Sequence, residues 1–349
     1  MSISTDEFDQ FEGQPIERFT LTNRDGLMMR AITFGAIVSE VHVPDRQGRM
    51  ADIVLGCDSV ADYVAASANL GAICGRVANR ISEAKFELDG QVYHLAQNFG
   101  GRHHLHGGIR GFDKRVWRGE AFEAGDGPAV RMTYRSADGE EQYPGNVDAE
   151  VVYTLTHDNV MRIEIRAETD RPTPVNIVHH GYWNLAGHDA GAALDHQVTI
   201  HAGQFTPVDD ETMPTGQMQP VAGTPFDFTK PKRLGADLEK TPGDPQGYDV
   251  NLVVNGQAGQ LREAAQVIEP VSGRALDVWT TQPGMQLYTG NHLGRTARGK
   301  GGVQYPQYAG FCMETQHYPD SVNKPQWPTV IVRPGQSFCH TSEQRFATQ

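Results

Sequence analysis

Residues 86–95 read Phe-Glu-Leu-Asp-Gly-Gln-Val-Tyr-His-Leu, and this short stretch constrains the fold more than any other. A two-residue Asp-Gly loop turns a chain straight back on itself, because both residues tolerate the positive φ of a turn whose twist matches the flanking strands. A turn at Asp89 and Gly90 pairs residue 88 with 91 and 86 with 93, so that Phe86, Leu88, Tyr93 and Leu95 fall on one face. A second hairpin is expected where Val151, Tyr153 and Leu155 are followed by His157, Asp158 and Asn159 and then by Met161, Ile163 and Ile165. Val130, Met132 and Tyr134 alternate with Arg131, Thr133 and Arg135, whose side chains are expected to face water.

Further strand-like runs lie at 19–21, 28–43, 276–281, 285–289 and 330–332, each bounded by Gly, Pro, Asn or Asp. The 38 Gly and 20 Pro are spread along the chain, as many short strands with a turn apiece require. Helical periodicity is confined to 59–66, with Asp58 or Ser59 as the N-cap. No linker, repeat or low-complexity tract divides the chain, so the expected fold is all-β: one domain over residues 1–349, built of packed antiparallel sheets.

A net charge of −13 argues against non-specific nucleic-acid binding, the densest basic group being only Arg295, Arg298 and Lys300. No apolar run is long enough to span a membrane. Cys57, Cys74, Cys312 and Cys339 show no C-x-x-C spacing and read as reduced thiols. Residues 1–10 are acidic and polar, unlike a signal peptide, and a cytoplasmic location is expected.

His103, His104 and His106 resemble a metal cluster, since on a strand His104 and His106 share a face. A cupin-like site would need a carboxylate shortly afterwards, and residues 107–112 hold none. A hydrogen-bonding histidine at a polar pocket fits better. Residues 294–301 approximate a phosphate loop but lack its Ser or Thr, and no strand-to-helix setting surrounds them. In His179-His180-Gly181-Tyr182-Trp183-Asn184-Leu185 two readings stand open: a core histidine among aromatics, or a proton-transfer histidine beside an apolar wall of Tyr182 or Trp183 for a sugar ring. Glu314, alone in an uncharged run at 311–316, is either a solvent-facing strand residue or a general base whose pKa burial raises. Asn79 and Arg80 are either an exposed loop or a set of donors for hydroxyls.

In order along the chain, residues 75–80, Leu-His-Gly-Gly-Ile-Arg-Gly-Phe-Asp at 105–113, Tyr-Pro-Gly at 143–145, the His180 cluster and Thr-Pro-Val-Asp at 206–209 are followed by Gly-Tyr-Asp at 247–249, the run from Gln282 to Asn291, and Glu314-Thr315-Gln316. Together they resemble the aldose 1-epimerase (galactose mutarotase) family over nearly the whole chain. The order is more specific than any one segment. The resemblance implies a large antiparallel β-sandwich, the galactose mutarotase-like supersandwich, with a wide cleft. It implies Glu314 as catalytic base, His180 as catalytic acid, and Asn79, Arg80, His106, Asp249 and Gln282 as substrate-binding residues. It implies no metal or other cofactor, a small free sugar such as galactose or glucose as the partner, and a monomer or homodimer. Two departures stand out: His179 and Gly181 replace an Asn and a Ser or Thr common in relatives, and Val250 replaces a common His, which can alter the sugar that fits.

Two competing functions have their own signatures. An epimerase of sugar phosphates needs cations for the phosphate, for which Arg76, Arg102 and Arg110 are candidates. A non-catalytic carbohydrate-binding domain needs the aromatic wall but no acid and base together.

Overall fold

In the computed structural model, residues 2–66, 68–294 and 298–349 are described; Arg295 lies outside them, as does the middle of the 294–301 segment. Asp89 and Gly90 take φ of 52° and 80° and close the expected hairpin, with Phe86 opposite Tyr93 and Leu88 opposite Gln91. The Phe86 and Tyr93 rings stack at 5.1 Å, and Phe86, Leu88 and Leu95 join Tyr143 in a satellite apolar cluster.

The second hairpin forms in the expected register, Val151 opposite Ile165, Tyr153 opposite Ile163 and Leu155 opposite Met161. It belongs to a nine-stranded antiparallel sheet whose order is Arg118–Ala124, Gly127–Ser136, Val147–Leu155, Val160–Thr169, Ser337–Thr348, Arg274–Thr280, Arg262–Ile268, Gln197–Ile200, Lys232–Arg233. The C-terminal strand thus enters the middle of the sheet. Val130 and Met132 are buried and Arg135 is exposed, as the alternation requires, while Arg131 and Thr133 are half-buried.

A five-stranded meander takes the N-terminal part, Ser2–Phe11, Gln14–Thr22, Met28–Ile32, Ile37–Pro44 and Met50–Asp52 in sequence order. The run expected at 28–43 is therefore two strands. It breaks because Gly35 and Ala36 adopt φ of 63° and 46°, and a Cβ on Gly35 would stand 2.5 Å from the Asp113 carbonyl oxygen. A six-stranded sheet has the order Tyr182–Trp183, Phe311–Gln316, Gly284–Tyr288, Asp249–Val254, Ala202–Thr206, Gln219–Pro220. One apolar cluster unites the three large sheets, taking Met29 and Val41 from the meander, Val151 and Ile163 from the nine-stranded sheet, and Leu252, Leu287 and Met313 from the six-stranded sheet. Such an arrangement of antiparallel sheets around a shared core is the expected sandwich.

The helix Val60–Ala66 starts at Ser59 rather than Asp58: Ser59 Oγ accepts the Asp62 N–H at 3.1 Å and donates to Asp62 Oδ2 at 2.7 Å. This satisfies an otherwise unpaired N-terminal donor.

Two glycines separate backbone conformation from crowding. Gly90 and Gly107 share φ near +80°, but a Cβ on Gly90 meets nothing within 4 Å, whereas one on Gly107 would lie 1.8 Å from the Gly75 carbonyl oxygen. Gly90→Ala is expected to cost about 1–2 kcal/mol, the left-handed penalty alone, and Gly107→Ala several times as much, measured by denaturant unfolding. Equal losses would show that the contact at Gly107 relaxes freely.

Candidate active site

The strand Phe311–Gln316 is buried along its whole length. Phe311 and Met313 point into the main core, so by strand alternation Cys312, Glu314 and Gln316 project from the opposite face. The neighbouring strands repeat the pattern, with Met285 and Leu287, and Val250, Leu252 and Val254, in the core. Register then builds a lattice on the other face: Asp249, Tyr288, Cys312 and Tyr182 are successive cross-strand partners in one row, and Asn251, Gln286 and Glu314 in the next. This face floors a pocket of about 260 Å³, below the usual range for drug-sized ligands and suited to a small one.

Loops and the short strand Arg80–Ile81 complete the walls. Asn79, Arg80, Phe99, His106, Thr212 and His292 line the pocket above a floor of Asp249, Gln286, Tyr288, Tyr182, Glu314 and His180. Asn79 and His106 both take positive φ, 61° and 49°, and hold each other: His106 N–H donates to the Asn79 carbonyl at 3.0 Å, and Asn79 N–H donates to His106 Nδ1 at 3.2 Å. Because Nδ1 accepts, the neutral ring carries its proton on Nε2. Burial, with His180 and Arg80 adding to it, holds His106 well below its ordinary pKa, so it is a neutral N–H donor.

Asp249 is fixed at both oxygens. Arg80 Nη2 donates to Oδ2 at 2.7 Å and Gln286 Nε2 to Oδ1 at 2.6 Å. Arg80 also donates to Asn79 Oδ1 at 3.3 Å and lies 4.9 Å from the centre of the Phe99 ring.

Glu314 and His180 form the centre of the floor, Glu314 Oε1 standing 3.5 Å from His180 Nε2. Glu314 Oε2 is buried without a hydrogen-bond partner among the described residues, a state that a ligand hydroxyl would relieve. Burial, then the Asp249 charge, pushes the Glu314 carboxyl up to about 8, with Arg80 opposing. Burial brings His180 down to about 4, against its own carbonyl and Asp249. Both groups thus favour their neutral forms, and near neutrality the pair holds one dissociable proton beyond the neutral imidazole. Such a pair can take a proton at one atom and give one at another.

His106, His180 and Glu314 offer donor atoms within 4.8 Å of one another, a geometry that invites a metal. The His106 tautomer opposes it, since the nitrogen facing Asn79 is the acceptor and the other presents N–H rather than a lone pair. A second group, Glu40, His42 and Asp52, is already bound to Arg30 and Lys300.

Several sequence expectations meet their places here. Asn79, Arg80, His106, His180, Asp249 and Glu314 all line the one pocket. Gln282 does not. It lies two residues before the strand Gly284–Tyr288, about 13 Å of extended chain from Gln286, and Gln286 occupies the pocket instead. Val250 also misses it, because alternation turns its side chain into the core. Trp183 lies in the core against Phe346, and Tyr182 is the aromatic residue of the two that lines the pocket. His179 packs on Tyr153 and Trp183, and a Cβ on Gly181 would lie 2.7 Å from its ring, so His179 and Gly181 accommodate each other.

The histidine trio does not act together. His104–Leu105 is only a two-residue strand and the chain turns at His106, so His104 points away to the Tyr143 hydroxyl and the Ala96 carbonyl. The three arginines proposed for a phosphate are engaged elsewhere: Arg76 is buried on Ser136, Ala137 and Pro144, Arg102 pairs with Glu83 and Glu211, and Arg110 with Glu12. Of the residues missed, Gln286 and Tyr288 were open to detection from the apolar alternation of Met285 and Leu287; Phe99 and Thr212 stand on loops without pattern.

A family model described as Aldose 1-epimerase matches residues 17–345. The chain is 43% identical over 332 residues to a galactose mutarotase of Bos taurus, covering 95% of this chain and 94% of that one. It is 42% identical over 335 residues to a galactose mutarotase of Homo sapiens, covering 96% and 95%. A crystal structure of an aldose epimerase homologue from C. elegans superposes with a TM-score of 0.86 at 30% identity, over 94% of this chain and 98% of that one.

The electrostatics can be read directly by side-chain carbon NMR. The Glu314 carboxyl is expected to titrate near about 8, and Asp249→Asn to bring the midpoint down, because it removes the negative charge that opposes ionisation. A wild-type midpoint at the ordinary value of a solvated glutamate would show that the pocket floor is wet.

Proposed function

The chain belongs to the aldose 1-epimerase family, and we propose that its pocket interconverts the α and β anomers of a free hexose such as galactose or glucose, with Glu314 and His180 transferring the protons. The observation that carries this reading is the 3.5 Å approach of a buried carboxyl and a buried imidazole, sharing one dissociable proton, on the floor of a small polar pocket.

Mutarotation needs no more than that. In the form of the pair that carries the shared proton on His180 rather than on Glu314, Glu314, as carboxylate, removes the proton of the C1 hydroxyl while His180, as imidazolium, protonates the ring oxygen; the C1–O5 bond breaks and C1 becomes an aldehyde. Rotation about C1–C2 presents the other carbonyl face. The C5 hydroxyl then attacks it, giving its proton to His180 as Glu314 returns a proton to the new C1 hydroxyl. Start and finish hold the same number of protons, so nothing is consumed and no covalent enzyme intermediate forms.

Holding the opened chain is the second requirement, because a sugar lost as aldehyde wastes the turnover. Arg80, His106, Asp249, Asn79 and Gln286 are the groups we assign to the ring hydroxyls, with Gln286 in the place first given to Gln282. Asp249 is already oriented by Arg80 and Gln286, so little reorganisation accompanies binding. Tyr182 offers the apolar surface. The reading includes hexose metabolism as its setting and the cytoplasm as its compartment, in keeping with four free cysteines of which three are buried. Among the described residues no helix is long and apolar enough to cross a membrane.

Polarimetry on freshly dissolved sugars tests the assignment. Glu314→Gln and His180→Asn are each expected to lower kcat by about 10²- to 10⁴-fold with sugar binding largely retained, and exhaustive chelation to leave the wild-type rate unchanged. Folded Glu314→Gln protein working within a few-fold of wild type would refute the mechanism, and activity lost to EDTA and restored by a divalent ion would refute its independence of metal.

A further inference from the structure

Cys312 has no part in the scheme above, yet it is fully buried and its Sγ lies 3.6 Å from His180 Nδ1, whereas Glu314 is approached by Nε2. It reaches that position because Cys312 and Glu314 are two residues apart on one strand and project from one face. One strand therefore supplies both the base and a partner for the acid.

The chemistry of the partner matters. Burial, with the Glu314 carboxyl next, pushes the thiol well above its ordinary range, while a hydrogen bond with Tyr182 pulls the other way; the sulfur keeps its proton. A protonated thiol can donate to a lone pair and can also accept from an N–H. It remains a partner for Nδ1 whether the ring is neutral or an imidazolium, which an acid that gains and loses a proton in every turnover requires. The other titratable groups around the ring are Glu314 on the Cys312 strand, Asp249 two strands from it, His106 from the facing loop at 5.2 Å between ring centres, the adjacent His179, and Tyr182 stacked at 5.1 Å. Beside these, the Cys312 thiol is the hydrogen-bond contact of Nδ1 among the described residues, and a hydrogen bond with the residue's own backbone also acts on the ring.

We propose that Cys312 is a positioning residue for His180, its thiol holding the ring with Nε2 toward Glu314 through both protonation states of the imidazole. This rests on the acid–base reading of His180 given under Proposed function.

The test is polarimetric kinetics across pH on Cys312→Ala, Cys312→Ser and Cys312→Asp, each checked for folding by circular dichroism, with Glu314→Gln assayed alongside. Cys312→Ala is expected to lower kcat about three- to tenfold, the size of one net hydrogen bond, with KM within about twofold. Cys312→Ser, which keeps a group able both to donate and to accept, should recover most of that loss. Cys312→Asp should move the acid limb of the pH profile upward, because a carboxylate beside Nδ1 stabilises the imidazolium. Cys312→Ala with wild-type kcat and pH profile would overturn the proposal, as would Cys312→Ser no better than Cys312→Ala. Should Cys312→Ala not fold, the decision passes to Cys312→Ser: a kcat reduced with KM and fold unchanged supports the proposal, and a pH profile and kcat identical to wild type in both Cys312→Ser and Cys312→Asp overturn it. An inactive Glu314→Gln beside a fully active Cys312→Ala removes the part given to Cys312 alone, whereas a fully active Glu314→Gln removes the acid–base reading beneath it.

Discussion

Desolvation of the strand Phe311–Gln316 governs the rest of the pocket. With Phe311 and Met313 sunk in the core that joins three sheets and Glu314 on the other face, water is displaced from a carboxyl that would otherwise ionise freely. A carboxyl in such a setting favours its neutral form, and the imidazole facing it does the same for the same reason, burial moving the two pKa values in opposite directions. Two groups whose ordinary affinities for a proton differ in one sense are thereby brought to differ in the other. The one proton they share rests on Glu314 and passes to His180 in the reactive form, from which the pair can exchange protons with a sugar in either direction, as a reversible isomerisation requires.

The walls are organised by strain and crowding rather than by regular structure. Asn79 and His106 hold positive φ, each costing of order 1–3 kcal/mol, and both are locked by the hydrogen bonds between them. Gly107 lets the chain leave His106 across the Gly75 carbonyl with no room for a side chain. The short strand Arg80–Ile81 is tied to the sheet floor by the ion pair of Arg80 with Asp249. The engagement of Arg76, Arg102 and Arg110 in structural contacts leaves no unpaired cation from that trio for a phosphate, which favours a free sugar over its phosphate ester.

The hairpins were legible because Asp89-Gly90 and the alternation at 151–165 are local signals, settled within a dozen residues. The orientation of Glu314 was not. A strand buried on both faces loses the polar alternation that marks an inside and an outside, so the run 311–316 looks the same whichever way its glutamate points. The order of family-like segments picked out six residues that share the pocket, and it missed at the 282–291 run, where two glutamines compete: strand phase, with Met285 and Leu287 inward, selects Gln286, and the turn before Gly284 keeps Gln282 out. The same phase argument places Val250 in the core and away from the sugar. The histidine trio misled because a period-two reading assumes an unbroken strand, and the chain turns at His106. The positive φ of Asn79 and His106, unlike that of Asp89, is not marked by a local turn motif such as Asp-Gly.

The central claim is that one proton shared by Glu314 and His180 does the work, and the pH dependence of kcat/KM for the wild-type enzyme tests it most directly. The profile should be bell-shaped, with an acid limb near about 4, below which both groups are protonated and no base remains, and an alkaline limb near about 8, above which both have lost their protons and no acid remains. A folded enzyme equally active at about pH 6 and about pH 10 would contradict it, since activity would then persist without the proton on which the mechanism depends.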